Sequence, residues 1–246
     1  MLGRGEMDRQ LFYHVYQRSL DKSVVFKTSL DALFFVSILF VKARCYKVSI
    51  PALCLMDNHF HILARVHSES SLDPFVSESV SLFTRLYNKE HLRRGSLFKG
   101  PFGKALKMTD KYIRNCISYI NNNPVEAKKC SRIEDYVWNF TAYYCNDYAF
   151  SRPVVVRKAS YRLKQRWYEV KDLSATNKPL NYTLLRHLFE SLSEQEALQL
   201  RDLLISRCNP LDYDCFIRYF GTYEKALVAI NSFTGSEHQL KEDDRR

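Results

Sequence analysis

Three segments near the start of the chain have patterns typical of β-strands. Residues 12–18 are rich in aromatic and β-branched side chains and predict a first strand. Residues 47–56 and 59–67 alternate with a period of two, and Asp57 and Asn58 between them favour a tight turn. The pattern therefore predicts a strand followed by a β-hairpin. One face of the first hairpin arm is expected to carry its alternate apolar residues: Val48, Ile50, Ala52, Cys54 and Met56.

Helical patterns separate and follow these strands. Residues 29–43 are too densely apolar for alternation and predict a buried helix. A second helix is expected to run to about residue 91, with Asp73 as its N-cap and Pro74 as its first helical residue. A third is expected over residues 110–123, because Thr109 can cap its start and Pro124, which has no backbone donor, is predicted to stop it.

The segment between the second and third helices is broken by glycines and predicts a loop with a short edge strand around Leu97 and Phe98. The elements then follow the order β, α, β-turn-β, α, β, α. This order predicts an α+β fold, a ferredoxin-like (RRM-like) antiparallel sheet with helices packed on it.

The character of the chain changes after Phe150, where only helical patterns follow. Residues 174–179 are polar and predict a linker, and residues 193–196 have the spacing of a helix capping box. We therefore predict two domains, one over residues 1–150 that contains the sheet and a helical C-terminal extension over residues 151–246. The first ten residues and residues 241–246 are expected to be loose ends.

The charge of the chain is unevenly distributed. Lys and Arg number 37 against 27 Asp and Glu, and the net charge of +10 favours a polyanionic partner such as nucleic acid. Seven basic residues and one acid, Glu90, lie between positions 85 and 107. The basic ones are Arg85, Lys89, Arg93, Arg94, Lys99, Lys104 and Lys107. The run either follows a phosphate backbone or is only a solvated face, and the sequence leaves both readings open.

Composition and cysteine usage indicate a folded protein of a reducing compartment. Apolar residues make up 46% of the chain, as in average globular proteins. The most apolar run, residues 33–41, is far shorter than the roughly 18 residues that suggest a membrane span. The seven cysteines form no C-x-x-C pair and are typical of reduced thiols. We expect a cytoplasmic protein with no membrane segment.

Two pairs of side chains have spacings that allow shared chemistry. Alternation along a strand places His59 and His61 side by side on one face, where two imidazoles can share a cation. The alternative is a pair of surface or hydrogen-bonded histidines. Tyr119 and Asn123 are four residues apart and so lie on one face of a helix, where a phenol and an amide oxygen can approach one point. The alternative for Tyr119 is one more core aromatic.

Several segments that contain these residues resemble the REP-associated tyrosine transposases, a branch of the IS200-like, single-tyrosine HUH transposases. The two main ones are CLMDNHFHIL (residues 54–63) and YINNNPVEA (119–127). Three more follow the family's order: HVxxR (14–18), GSLF (95–98) and DYxW (135–138). The chain departs from the usual pattern at Asp57, where the family has proline, and at Asn139 and Phe140, where it has serines.

The resemblance implies a role for each of these residues. His59, His61 and Asn123 are implied ligands of Mg²⁺ or Mn²⁺, although ligand chemistry alone also permits Zn²⁺. Tyr119 is the implied nucleophile, which forms a 5′-phosphotyrosine with single-stranded or hairpin DNA. Contacts with DNA are expected from His14, Arg18, Arg85, Arg93, Arg94, Lys99 and Lys104. The family also implies a bacterial, nucleoid-associated protein, with a homodimer left open.

Two other functions remain open at this stage. On the same fold the chain can be a non-catalytic nucleic-acid-binding protein, or a hydrolase that uses the two histidines with water as nucleophile. His14 and Arg18 can equally be a structural pair. Phe98, Phe102 and Trp138 are candidates for base stacking, with core packing as the alternative.

Overall fold

The structure, a computed structural model, describes residues 10–173 and 176–233. The predicted loose ends therefore lie almost entirely outside the described residues, as does the start of the predicted linker. Four strands form one antiparallel sheet: β1 (Leu11–Arg18), β2 (Ser49–Met56), β3 (His59–Val66) and β4 (Gly103–Lys107). Their order in the sheet is β2-β3-β1-β4, which confirms the predicted ferredoxin-like α+β arrangement.

Helices cover the sheet and make up most of the remaining regular structure. Those of the sheet domain are α1 (Ser29–Tyr46), α2 (Glu69–Glu90) and α3 (Asp110–Glu126). Those that follow are α4 (Tyr161–Leu173), α5 (Tyr182–Phe189), α6 (Glu194–Arg207), α7 (Tyr213–Arg218) and α8 (Tyr223–Asn231). No helix within the described ranges is both long and apolar enough to cross a membrane.

The two faces of the sheet belong to different hydrophobic clusters. Val15, Phe60 and Ile62 pack in the larger cluster, under α1 and α2. Phe12 and Leu63 point to the other face, where they pack with the apolar side of α3. Side chains alternate along a strand, so the polar residues two positions from Phe12 on β1 and two positions from Leu63 on β3 also face α3. The sheet therefore has a helix-covered polar end on that side.

A bulge changes the predicted faces of β2. The pairing of β2 with β3 shifts by one residue between Ser49 and Ala52. Ala52 and the alternate residues after it share a face, as predicted, and pack on the α3 side, whereas Val48 and Ile50 pack in the cluster under α1. Their predicted face was wrong, because the extra residue of a bulge reverses the alternation.

Three predicted boundaries were also wrong. The second helix begins at Glu69 and not after Asp73, because the Ser68 hydroxyl accepts a hydrogen bond from the Ser70 N–H and so caps an earlier turn. The third helix is capped by Thr109 as predicted, but it continues past Pro124. The predicted edge strand at residues 97–98 is a single bridge, and β4 pairs with β1 further along the chain.

The helices after residue 150 pack on both sides of the sheet domain, and the predicted helical character of this region is confirmed. On one side, the Tyr182 hydroxyl of α5 donates to the buried Asp31 of α1 at 2.8 Å. On the other, Phe216 of α7 and Ile230 of α8 belong to the same cluster as Ile117 of α3. The domain boundary at residue 150 stays a prediction.

Candidate active site

The polar end of the sheet forms a cavity under α3. In the pairing of β1 with β3, Tyr16 lies opposite His61, and Arg18 lies opposite His59. Side chains that lie opposite each other in an antiparallel pair share a face, and α3 covers this one. The cavity has a volume of about 330 Å³. Its lining includes all four residues of the two predicted pairs: His59, His61, Tyr119 and Asn123.

The imidazole of His59 is oriented by its neighbour in the turn. Asn58 Nδ2 donates to the carbonyl oxygen of Lys22 at 3.0 Å, which fixes the direction of the amide. The amide oxygen of Asn58 then lies 2.7 Å from His59 Nδ1 and can only accept. In the neutral ring the proton is therefore on Nδ1, and Nε2 of His59 has the free lone pair.

The imidazole of His61 is paired with a third histidine. His61 Nδ1 lies 3.0 Å from His14 Nε2, and either nitrogen can be the donor. The two rings are stacked, with centroids 5.1 Å apart. His61 is only 8% exposed, so this bond satisfies a nitrogen that water does not easily reach. His14 thus lies behind His61 and away from the lining of the cavity.

Tyr119 and Asn123 reach the same cavity from α3. The Tyr119 ring stands edge-on to the rings of His14 and His61, with centroid distances of 5.7 and 5.5 Å. Asn123 Nδ2 donates to the carbonyl oxygen of Tyr119 at 2.8 Å, one helical turn back. This bond uses the donor side of the amide and leaves Oδ1 as its acceptor.

Burial makes the three imidazoles poor bases. It is the main cause that lowers the pKa of His14 to about 3, and the Lys107 ammonium adds to the effect. Burial also lowers the pKa of His59 to about 4, helped by the Arg18 guanidinium. The pKa of His61 is held well below its ordinary value by burial and then by the neighbouring imidazoles. The rings are therefore neutral near pH 7, with lone pairs available to a cation.

The donor set of the cavity is suited to a divalent cation. Two imidazole nitrogens and an amide oxygen can bind such an ion together with oxygens of water or phosphate. Hydrogen-bond partners behind His59 and His61 are typical of histidines that bind metals. Within residues 10–173 and 176–233, no group of three or more His, Cys, Asp or Glu side chains is arranged to hold a metal ion. Asn123 offers an amide oxygen in the same cavity as a third protein ligand.

The predicted DNA-contacting residues are spread over several parts of the surface. Arg18 is exposed and lines the cavity. The N–H of Lys99 donates to the Arg18 carbonyl oxygen at 2.9 Å, so Lys99 belongs to the same rim. By contrast, the Lys104 ammonium lies 2.8 Å from Glu69 and from Asp73 on the α2 side.

The remaining members of the basic run lie outside the cavity lining. The Arg93 guanidinium donates to Asn88 and to the carbonyl oxygen of Ser96, and so braces its own loop. Arg85 is exposed on α2, which covers the other face of the sheet, and Arg94 is exposed in the loop that follows. The roles of these residues in DNA binding stay predictions.

Three residues of the site were missed in the sequence. Asn58 was read only as a turn former, yet it orients His59. Tyr16 lines the cavity, and Lys107 is a buried cation beside His14. The alternation of β1 places Tyr16 on the face of His14 and could have identified it. Of the candidate stacking residues, Phe98 is buried in the core, and Phe102 and Trp138 pack against it.

Comparison with known proteins finds a similarity to one family over slightly less than half of the chain. The model of the family described as "Transposase IS200 like" matches residues 8–123. No curated protein matches the chain. A solved structure described as "Structure of the REP associates tyrosine transposase bound to a REP hairpin" is similar, with a TM-score of 0.43 and 14% sequence identity. That likeness covers 61% of this chain and 87% of the other.

Proposed function

Residues 8–123 match the model of the IS200-like transposase family, and on this premise we propose that the protein is a transposase that cuts and rejoins single-stranded DNA. Its substrate in this proposal is a hairpin or repeat sequence, and Tyr119 is the nucleophile. The observation that supports it best is the convergence of Tyr119, His59, His61 and Asn123 on one cavity, from two elements far apart in sequence.

The residues of the cavity can hold Mg²⁺ or Mn²⁺. His59 Nε2 has its lone pair free because Nδ1 donates to Asn58. For His61 we assign the proton to Nδ1, which then donates to His14, because only this tautomer leaves the lone pair on Nε2. The amide oxygen of Asn123 is the third ligand. The bound ion would supply a Lewis acid for the scissile phosphate.

In the proposed step, Tyr119 Oη attacks the phosphorus of a phosphodiester, and the bond between phosphorus and the 3′ oxygen breaks. The products are a 5′-phosphotyrosine and a 3′-hydroxyl, whose proton derives from the phenol through solvent. The edge-on contacts with His14 and His61 restrict the Tyr119 ring and so hold its oxygen in one direction. Because one phosphodiester replaces another, the reverse step rejoins the strand without a nucleotide cofactor.

Arg18 is suited to bind the phosphate backbone at the mouth of the cavity. It is exposed, and it makes no ion pair with a carboxylate in the part of the chain that the structure describes. A guanidinium can bind phosphate oxygens with two parallel hydrogen bonds. In this proposal Arg18 positions the strand, and Lys99 of the same rim adds charge.

The test is a covalent adduct assay with hairpin-forming single strands of randomised flanking sequence, in the presence of Mn²⁺. A 3′-end label should migrate with the protein in a denaturing gel, whereas a 5′-end label should stay on the free product. Tyr119→Phe removes one oxygen and no ring, so it should abolish the adduct and keep the fold. Tyr112→Phe, on the exposed side of the same helix, is the matched control and should keep the adduct.

The outcomes separate the proposal from its two alternatives. Cleavage without an adduct from either label would indicate a hydrolase with water as nucleophile. Binding without cleavage in any metal would indicate a non-catalytic nucleic-acid-binding protein. An adduct that persists at the wild-type level in Tyr119→Phe would assign the nucleophile to another residue.

A further inference from the structure

A seven-residue repeat lies along α4, outside the proposed active site. Two Tyr-x-x-Lys units follow each other at residues 161–164 and 168–171. The third residue of each unit is buried, Leu163 in the first and Val170 in the second. These two residues form a narrow apolar stripe that packs the helix against the rest of the protein. On the other side of the helix, one aromatic ring and one ammonium group recur after seven residues.

The two rings of the repeat are unusually exposed. Tyr161 is 74% exposed and Tyr168 is 57% exposed, although the helix has a buried side available for apolar groups. Seven residues are close to two helical turns, so both rings lie on one side and about 10 Å apart along the axis. This separation corresponds to about three base steps of a stacked strand. Exposed rings at such a spacing can act as platforms for bases.

Basic residues of α4 and of the segment before it add positive charge to this region, and several of them are left unpaired by the fold. Four basic residues of this region are exposed and make no ion pair with any residue in the described ranges: Arg152, Arg157, Lys158 and Arg162. Glu169, an acid on the same helix, is already engaged by Arg166 and His187. The surface therefore combines stackable rings with free cations, the combination that single-stranded nucleic acid requires.

This surface is separate from the cavity of Tyr119. Leu163 and Val170 belong to the hydrophobic cluster on the α1 and α2 side of the sheet, whereas Tyr119 packs on the α3 side. We propose that the exposed side of α4 is a second binding surface for single-stranded nucleic acid. The proposal deepens the proposed function, on which it rests for the nature of the strand. The surface binds the backbone by charge and bases by stacking, without reading a sequence.

The test uses the full-length protein and a short fluorescein-labelled oligothymidylate, which forms no hairpin, with binding followed by anisotropy. Tyr161→Ala with Tyr168→Ala should lower the affinity about ten-fold or more, because both stacking platforms are removed. Tyr161→Phe with Tyr168→Phe keeps both rings and should bind like the wild type. Because both positions are exposed, neither double variant should disturb the fold, and the phenylalanine variant is the control for any effect other than the loss of the rings.

Charge is tested by two triple variants of equal charge change. Lys158→Gln, Arg162→Gln and Lys164→Gln together should flatten the slope of log affinity against log salt by about 2, or about 0.7 for each phosphate that the variant no longer neutralises. The matched control carries substitutions of exposed residues that are not part of α4: Lys178→Gln, Arg218→Gln and Lys225→Gln. Its slope should equal that of the wild type.

The proposal is overturned if the alanine pair binds like the wild type, or if the control triple flattens the slope equally. It is also overturned if the α4 variants lose binding to anionic phospholipid vesicles and not to the oligonucleotide. The adduct assay with hairpin strands tests Tyr119 separately. If oligothymidylate binding depends on α4 but no adduct forms, the role of Tyr119 as nucleophile is contradicted and the α4 surface is supported. If an adduct forms but oligothymidylate binding does not depend on α4, only the proposal for the α4 surface is contradicted.

Discussion

Replacing Asn58 by Ala tests whether the orientation of His59 controls metal binding. The Asn58 amide is held from two sides, since it donates to Lys22 at 3.0 Å and accepts from His59 Nδ1 at 2.7 Å. The alanine variant loses both of these neutral hydrogen bonds, each worth about 1 kcal/mol, and allows the imidazole to rotate. Loss of a partner behind a metal-binding histidine weakens affinity about 10- to 100-fold, or by about 1.4 to 2.8 kcal/mol. We expect the affinity for Mn²⁺ to fall within this range.

The affinity can be measured from the EPR signal of free Mn²⁺ during titration of the full-length protein. Asn58→Asp is the matched control, because a carboxylate oxygen can accept the same hydrogen bond, and it should bind Mn²⁺ at least as well as the wild type. Thermal unfolding of both variants checks that the substitution in the turn has not disrupted the sheet. Wild-type Mn²⁺ affinity in a folded Asn58→Ala protein would refute the role assigned to this amide.

Three further predictions concern the fold and the rim of the site. Asp31→Ala should lower the free energy of unfolding by about 3–5 kcal/mol in urea denaturation, because a buried carboxylate that accepts four hydrogen bonds is lost; a loss below about 1 kcal/mol contradicts this. Gly103→Ala should slow adduct formation in single-turnover assays, because its Cβ would lie 2.3 Å from the Tyr16 ring and displace it; an unchanged rate would show that the ring position is unimportant. Lys99→Gln should flatten the salt dependence of hairpin binding more than Lys104→Gln, whose ammonium already has two carboxylate partners, and equal effects argue against this pairing.

The local geometry of the candidate site could be predicted from periodicity. A strand repeats every two residues and a helix about every 3.6, so the shared faces of His59 with His61 and of Tyr119 with Asn123 follow from spacing alone. The joining of the two pairs could not be predicted this way, because it depends on which face of the sheet α3 covers. The contact of Asn58 with His59 was missed because an asparagine in a turn looks the same in the sequence whether it only forms the turn or also accepts a hydrogen bond from another side chain.

The failures have physical causes, one in the hydrogen bonds of a helix end and one in tertiary structure. Pro124 lacks a donor, yet the helix continues because the later N–H groups of Ala127 and Lys129 still find carbonyl oxygens in the last turn, of Asn123 and Pro124. Charge along the chain was also misleading. The run from residue 85 to 107 contains one acid in sequence, but the fold brings Glu69 and Asp73 to Lys104 from a different element. Linear charge density counts cations and not the carboxylates that folding places beside them.

In the proposed function, a ligand set without carboxylates suits a substrate that is itself a polyanion. A carboxylate ligand would bind the ion more tightly, but its charge would oppose that of the ion and repel the phosphates of DNA. The proposed ligands within the described residues are neutral donors, two imidazoles and an amide, and burial favours the uncharged form of the imidazoles near pH 7. The charge of a cation bound only by neutral ligands is not offset by those ligands, so all of it is available to attract the phosphate. Neutral ligands also bind the ion more weakly than carboxylates would. We therefore expect the oxygens of a bound phosphate to complete the coordination of the ion and to help to hold it.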